Sequence, residues 1–205
     1  MTLTLFNHKP QLHEALKRKY AEPHRRYHTW THIEQLVDQL ENIKDLVKNQ
    51  HAVSYSIFYH DAIYNIPGSS NEKESADLFV RDATDHLGET IINLVAQFIN
   101  ATKAHVIPKN LTNEEHSDCQ HFLDMDMSIL GSDLQTYLQY AKDIRQEYIA
   151  FNDEMYNFGR AKVLEEFLQR DKIFLSDHFN KKLEEAARSN IARELSTLHA
   201  REITS

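Results

Sequence analysis

The run WTHIEQLVDQLENIKDLVK at residues 30–48 decides the fold class. Ile33, Leu36, Val37, Leu40 and Ile43 recur in it at steps of three and four, the stripe of an amphipathic helix and not the alternation of a strand. Working outward, the same periodicity predicts helices at about Lys9–Tyr20, where Leu12, Ala15, Leu16 and Tyr20 share a face, and at Ala52–Tyr64, Asn71–Asp85 and Glu89–Lys103. Glu22-Pro23 breaks the chain within Ala21–Thr29, and Asn65-Ile66-Pro67-Gly68 breaks it again. Beyond Pro108, Thr112 stands three residues before Glu115, the spacing of a capping box, so a helix is expected from Glu114 to about Leu123. Asp124–Gly131 reads as a bend or helix junction. Further helices are expected at Asp133–Phe151, Gly159–Arg170 and Asn180–Ile203. The connections are short and no repeat is present, which predicts a single all-α domain of eight or so helices over residues 1–205.

Composition agrees. Only 4 glycines and 4 prolines leave little material for the tight turns of an all-β chain. No apolar run approaches the roughly 18 residues of a membrane span, so none is expected. The start MTLTLFNHKP turns polar within seven residues, so no signal peptide is expected. A formal charge of −8 argues against the broad basic footprint of a duplex nucleic-acid binder, while leaving room for a local basic pocket that holds phosphate. The one cysteine, Cys119, excludes an internal disulfide and a cysteine-rich zinc site, and points to a reducing cytoplasm. It reads as an inert small apolar group. Thirteen histidines are many for this length, and imidazole is both a common metal ligand and a common acid-base group.

Four segments concentrate that chemistry. In Arg25-Arg26-Tyr27-His28-Thr29-Trp30-Thr31-His32, the two histidines stand four apart at a helix start and can share a face, roughly 6 Å apart at Cβ. Tyr59-His60-Asp61 puts a nitrogen and an oxygen ligand side by side near the end of an apolar stretch, where burial is costly unless both are paired or coordinated. Asp124-Met125-Asp126 brings two carboxylates ahead of Met127-Ser128-Ile129-Leu130-Gly131, and Thr102-Lys103-Ala104-His105 follows a hydrophobic helix. Two imidazoles and two carboxylates suit Mn²⁺, Fe²⁺, Mg²⁺ or Ni²⁺, with positions left open for water and substrate.

The order His32, His60-Asp61, Asp126 resembles the HD superfamily of metal-dependent phosphohydrolases. Arg-Tyr-His-x-x-x-His, His-Asp-Ala-Ile-Tyr-Asn, Asn71-Glu72-Lys73-Glu74-Ser75-Ala76 and Asp124-x-Asp126-x-Ser-Ile-Leu-Gly are similar to a bacterial group of predicted HD phosphohydrolases. Ala101-Thr102-x-x-His105, Ile144-Arg145-x-Glu147-Tyr148 and Gly159-Arg160-x-x-Val163-Leu164 fit the same group, so the resemblance covers about residues 23–174 and leaves the C-terminal helix, about 180–203, outside it.

That resemblance implies an HD-type helical bundle with His32, His60, Asp61 and Asp126 holding a divalent ion (Mn, Mg, Ni, Fe or Co), and Asp61 bridging a second where one is bound. It implies a catalytic part for Asp61 and makes His28 the group that protonates a leaving oxygen. Asp124 is the alternative to Asp126 as ligand, or a supporting neighbour. Arg25, Arg26, His105 and Arg145 are candidate substrate contacts; for the arginines, charge-assisted bonds to phosphate stand beside solvated or ion-paired readings. His105 is equally open as a ligand or a helix-end residue. Glu72 and Glu74 read either as support for the ligands or as ordinary acids in a helix's first turn.

The expected activity is hydrolysis of a phosphate monoester or phosphodiester of a small molecule, a nucleotide among the candidates, with no membrane or duplex nucleic-acid partner. The alternative is a non-catalytic HD-type module that binds a nucleotide or phosphorylated metabolite. A third reading, a dimetal oxygenase, would need His105 with His116 or His121 as extra ligands.

Overall fold

A computed structural model describes residues 4–202; these form ten α-helices and two 3-10 turns, with no strand among them. The all-α expectation is met. In chain order the helices are α1 (Thr4–His8), α2 (Pro10–Tyr20), α3 (Trp30–Ile43), α4 (Gln50–Tyr59), α5 (Asn71–Ala83), α6 (Glu89–Ala101), α7 (Asn113–Met127), α8 (Leu134–Glu147), α9 (Asp153–Leu168) and α10 (Asp177–Glu202). Among the described residues no helix is long and apolar enough to cross a membrane. The expected end of the last helix, Ile203, lies outside the described residues. The chain forms two compact units, residues 1–125 and 126–205, each treated by itself.

In the first unit α4 is the central element. Ala52, Val53, Tyr55, Ile57 and Tyr59 are all buried, together with Ser54 and Ser56, so the helix is enclosed on every side. Its two serines turn their hydroxyls back onto the Gln50 and Ala52 carbonyls, which lets polar residues sit in the core without unmet bonds. Helices α3, α5 and α6 pack against it. From α3, Ile33, Leu36, Leu40 and Ile43 supply the apolar stripe, each worth roughly 1.5–3 kcal/mol of burial. Val37, at the margin of that stripe, stays 36% exposed.

The start of α4 is fixed twice. The Asn49 side chain accepts from the Ala52 N–H at 3.0 Å, and the buried Asp118 carboxylate accepts from the Lys48 and Asn49 N–H groups at 2.8 and 2.7 Å. Asp118→Ala is therefore expected to lower stability by about 1–3 kcal/mol, read as a lower urea midpoint at an unchanged slope.

The other end of α4 corrects an expectation: the helix stops at Tyr59, not Tyr64. Side chains take the backbone groups that another turn would have used. Arg25 donates to the Asp61 and Ala62 carbonyls, and Ser75 Oγ accepts from the Ile63 N–H. The following loop closes on Asn71, which bonds both the N–H and the carbonyl of Asn65. Gly68 is required there, because a Cβ would stand 2.5 Å from the Asn65 carbonyl oxygen.

The capping box at Thr112 and Glu115 forms as the spacing predicts. The bend expected at Asp124 does not: α7 continues to Met127, and a 3-10 turn, Ser128–Gly131, follows it. Nothing in Asp124-Met125-Asp126 breaks a helix, and the chain turns only where Gly131 arrives.

In the second unit α10 packs on that 3-10 turn and on α9. A Cβ on Gly131 would meet Leu183 Cβ at 2.5 Å, so glycine permits the close approach. Asn190 donates to the Leu130 and Ser132 carbonyls across the same contact. Helix α9 starts at Asp153, six residues before the expected Gly159, because Asn152 caps it by accepting from the Met155 N–H.

Candidate metal centre

The end of α4 and the start of α3 bring His32, His60 and Asp61 together, with one potential ligand atom from each lying within 4.8 Å of the others. This group could hold a metal ion. His32 enters on the first turn of α3 and is 3% exposed; His60 terminates α4 and is 1% exposed; the Asp61 side chain is 17% exposed. The two imidazoles are 5.4 Å apart between ring centroids.

The decisive geometry is at His60. Its Nδ1 lies 2.9 Å from the Ile57 carbonyl oxygen, an acceptor only, so Nδ1 carries the proton and donates. In the neutral ring that leaves a lone pair on Nε2, which stands 3.0 Å from Asp61 Oδ2. Two acceptors at that distance repel unless something positive joins them: a proton on Nε2, or a cation held by both. A backbone carbonyl that takes the Nδ1 proton and so leaves Nε2 to a cation is a common outer support of a metal-binding histidine.

His28 completes one side of the site. Its Nε2 is 3.9 Å from the same Asp61 oxygen, and its ring packs at 4.3 Å on Tyr64 and 6.2 Å from His32. Tyr27 covers His32 at 4.9 Å. These contacts give the half-buried His28 a defined place beside the carboxylate.

Arg25 lies beneath this arrangement. Its side chain is fully enclosed between the rings of Tyr20 and Tyr64. It donates to Glu22, to the His28 carbonyl at 3.2 Å and to the Asp61 carbonyl at 2.7 Å. The charge expected to meet a phosphate is spent here on the backbone of two site residues, so Arg25 positions them. Arg26 is exposed and donates to the Pro23 and Arg25 carbonyls.

The other expected residues are placed as follows. Asp124 is buried on α7 in the first unit, and Asp126, partly exposed, opens the second. Two helical steps turn the chain by about 200°, so the two carboxylates leave α7 on nearly opposite sides and a single cation can take only one of them. Glu72 and Glu74 sit in the first turn of α5, where Glu74 accepts from the Ser70 hydroxyl at 2.5 Å. His105 follows α6 with φ of 48°, a left-handed backbone uncommon for a residue with a Cβ. Arg145, in the second unit, pairs with Asp153 at 2.6 Å and donates to the Tyr148 and Phe151 carbonyls.

Among the described residues, neither His105, His116 nor His121 belongs to the three-residue cluster. Cys119 is wholly buried, and burial pushes its thiol up to about 12, in keeping with an inert group.

The sequence pattern found His28, His32, His60 and Asp61 but missed the part played by Ser75. Ser75 falls within Asn71–Ala76, where its spacing marks a buried position of α5, yet nothing local announces that its hydroxyl will hold the loop after Asp61. No protein-family model, no curated protein and no solved structure matches the chain.

Proposed function

We propose that the chain is a metal-dependent phosphohydrolase of the HD type, acting on a phosphate monoester or phosphodiester of a small molecule such as a nucleotide. The observation that carries this reading is the His60 Nε2–Asp61 Oδ2 approach of 3.0 Å, with Nδ1 already committed to the Ile57 carbonyl and His32 alongside. The donor set is mixed imidazole and carboxylate, which suits Mn²⁺, Fe²⁺, Co²⁺, Ni²⁺ or Mg²⁺. Asp126 enters as fourth ligand on the sequence resemblance alone. A lone buried thiol with no second cysteine to pair with fits a reducing cytoplasm.

A divalent ion, if bound, would be held by His32, His60 and Asp61 and would supply Lewis-acid polarisation and a more acidic water. The chain's own residues do the rest. His32 and His60 would offer ring nitrogens and Asp61 a carboxylate oxygen, while Arg25 holds the Asp61 and His28 backbones in register. An alkoxide leaving from phosphorus needs a proton near neutral pH, and we assign its delivery to His28, whose Nε2 stands 3.9 Å from Asp61 Oδ2.

The test is turnover of a panel of nucleotides and generic phosphate esters by chain loaded with each of these metals, against the same chain with chelator. Metal-dependent release of phosphate or of a nucleoside product supports the reading. No turnover with any metal, or a tightly bound ligand recovered unchanged, contradicts it, and the latter outcome marks a binding module instead. Within an active preparation His28→Ala is expected to lower kcat by about 10²–10⁴-fold while metal content stays the same.

A further inference from the structure

The second unit contains a cavity of about 480 Å³ that shares no residue with the candidate metal centre. Leu138 of α8, Tyr156 of α9 and Leu198 of α10 line it. Three cations line it as well, Lys142, Arg145 and Arg193, against one carboxylate, Glu194. That carboxylate is already neutralised: Arg160 donates to it through Nε at 2.8 Å and Nη2 at 3.1 Å, and the Tyr137 hydroxyl donates at 2.5 Å. Arg145 shares its charge with the exposed Asp153. The side chains of Lys142 and Arg193 make no hydrogen bond or ion pair with the described residues. Local charge is thus positive on a chain whose net charge is −8.

A second observation stands beside the first. Tyr156 is 8% exposed, and its enclosed hydroxyl has no hydrogen-bond partner among the described residues. A buried hydroxyl with no partner in the chain takes one from water or from a bound ligand. The acceptor oxygens of an anion are partners of that kind.

We propose that this cavity binds a small organic anion, an apolar or aromatic body bearing a phosphate or carboxylate, with the body against Leu138 and Leu198 and the charged group between Lys142 and Arg193, where its oxygens accept from the Tyr156 hydroxyl. The volume suits one such molecule, since small-ligand sites run from about 300 to 1,000 Å³ and are mostly apolar with a few placed polar groups. The inference stands apart from the proposed hydrolase reading, because Lys142, Tyr156 and Arg193 take no part in the candidate metal centre.

The test is calorimetric titration of the full chain with phenylphosphonate, whose P–C bond resists hydrolysis, with chelator present so that no cation recruits the probe elsewhere. One probe per chain is expected to bind, more weakly as salt rises. Lys142→Glu with Arg193→Glu, both at exposed positions, should weaken it by at least about tenfold. Inorganic phosphate, without the ring, and benzyl alcohol, without the charge, should each bind far less. An unchanged affinity in the double variant, phosphate binding as well as phenylphosphonate, or no binding at millimolar probe would overturn the proposal.

Discussion

His60→Ala is expected to abolish tight divalent-cation binding, and with it any metal-dependent turnover. The reason lies in how much is built around this one ring. Helix α4 is enclosed on all sides, ends at Tyr59 and delivers His60 at 1% exposure with its Nδ1 anchored on the Ile57 carbonyl. Losing only an outer hydrogen bond to a metal ligand costs about 10–100-fold in affinity, and losing the ligand should exceed that. Titration with Mn²⁺ or Co²⁺ followed by calorimetry reads the effect directly. The same titration on Asp124→Asn and Asp126→Asn separates the two carboxylates, since their positions on α7 allow only one to join a single ion. Binding by His60→Ala as tight as in the unaltered chain would contradict the assignment.

Glu194→Ala carries the largest expected loss of stability. Arg160 and Glu194 are each only 10% exposed, and burial would lower the guanidinium's pKa were it not for Glu194 and the neighbouring tyrosines, which hold it raised. Tyr137 donates to the same carboxylate, and burial together with the Glu194 charge raises its phenol well above the ordinary range. Removing the acid leaves a cation buried with no carboxylate partner and strands a phenolic donor. A broken buried pair costs about 3–5 kcal/mol, and at about 2–4 °C per kcal/mol for a chain of this size the melting temperature should fall by about 6–20 °C. Replacing both partners by apolar residues, Arg160→Met with Glu194→Leu, should cost markedly less, because no unpaired charge remains. A double variant no better than the single one would show that the pair holds the fold by geometry and not by charge compensation.

The helical class was legible because Ile33, Leu36, Leu40 and Ile43 must face the core together, and a period of that kind has one physical cause. His32, His60 and Asp61 were legible for a related reason. A histidine and an aspartate side by side at the end of an apolar run are expensive to bury without a task, and the cost makes them stand out. What stayed hidden is long-range. Arg25 reads as a free cation next to Arg26, yet it is enclosed by Tyr20 and Tyr64 and bonded to carbonyls 36 and 37 residues away. Asp118 reads as one more acid on α7, yet it caps α4 from about 70 positions along the chain. The ends of α4 and α7 were misplaced for different reasons. Tertiary side chains stop α4 early, and no local breaker stops α7 at Asp124. The start of α9 is different, since Asn152 followed by Asp153 and Glu154 is a local helix-start signal that outranks the later Gly159.

The measurement that bears most directly on the account is anomalous diffraction from crystals of the full chain grown with Mn²⁺. A single strong peak within about 2.5 Å of His60 Nε2, and equally close to a His32 nitrogen and an Asp61 oxygen, is the predicted result. Ordered crystals with manganese bound elsewhere, and His60 Nε2 still facing Asp61 with no density between the two, would contradict it.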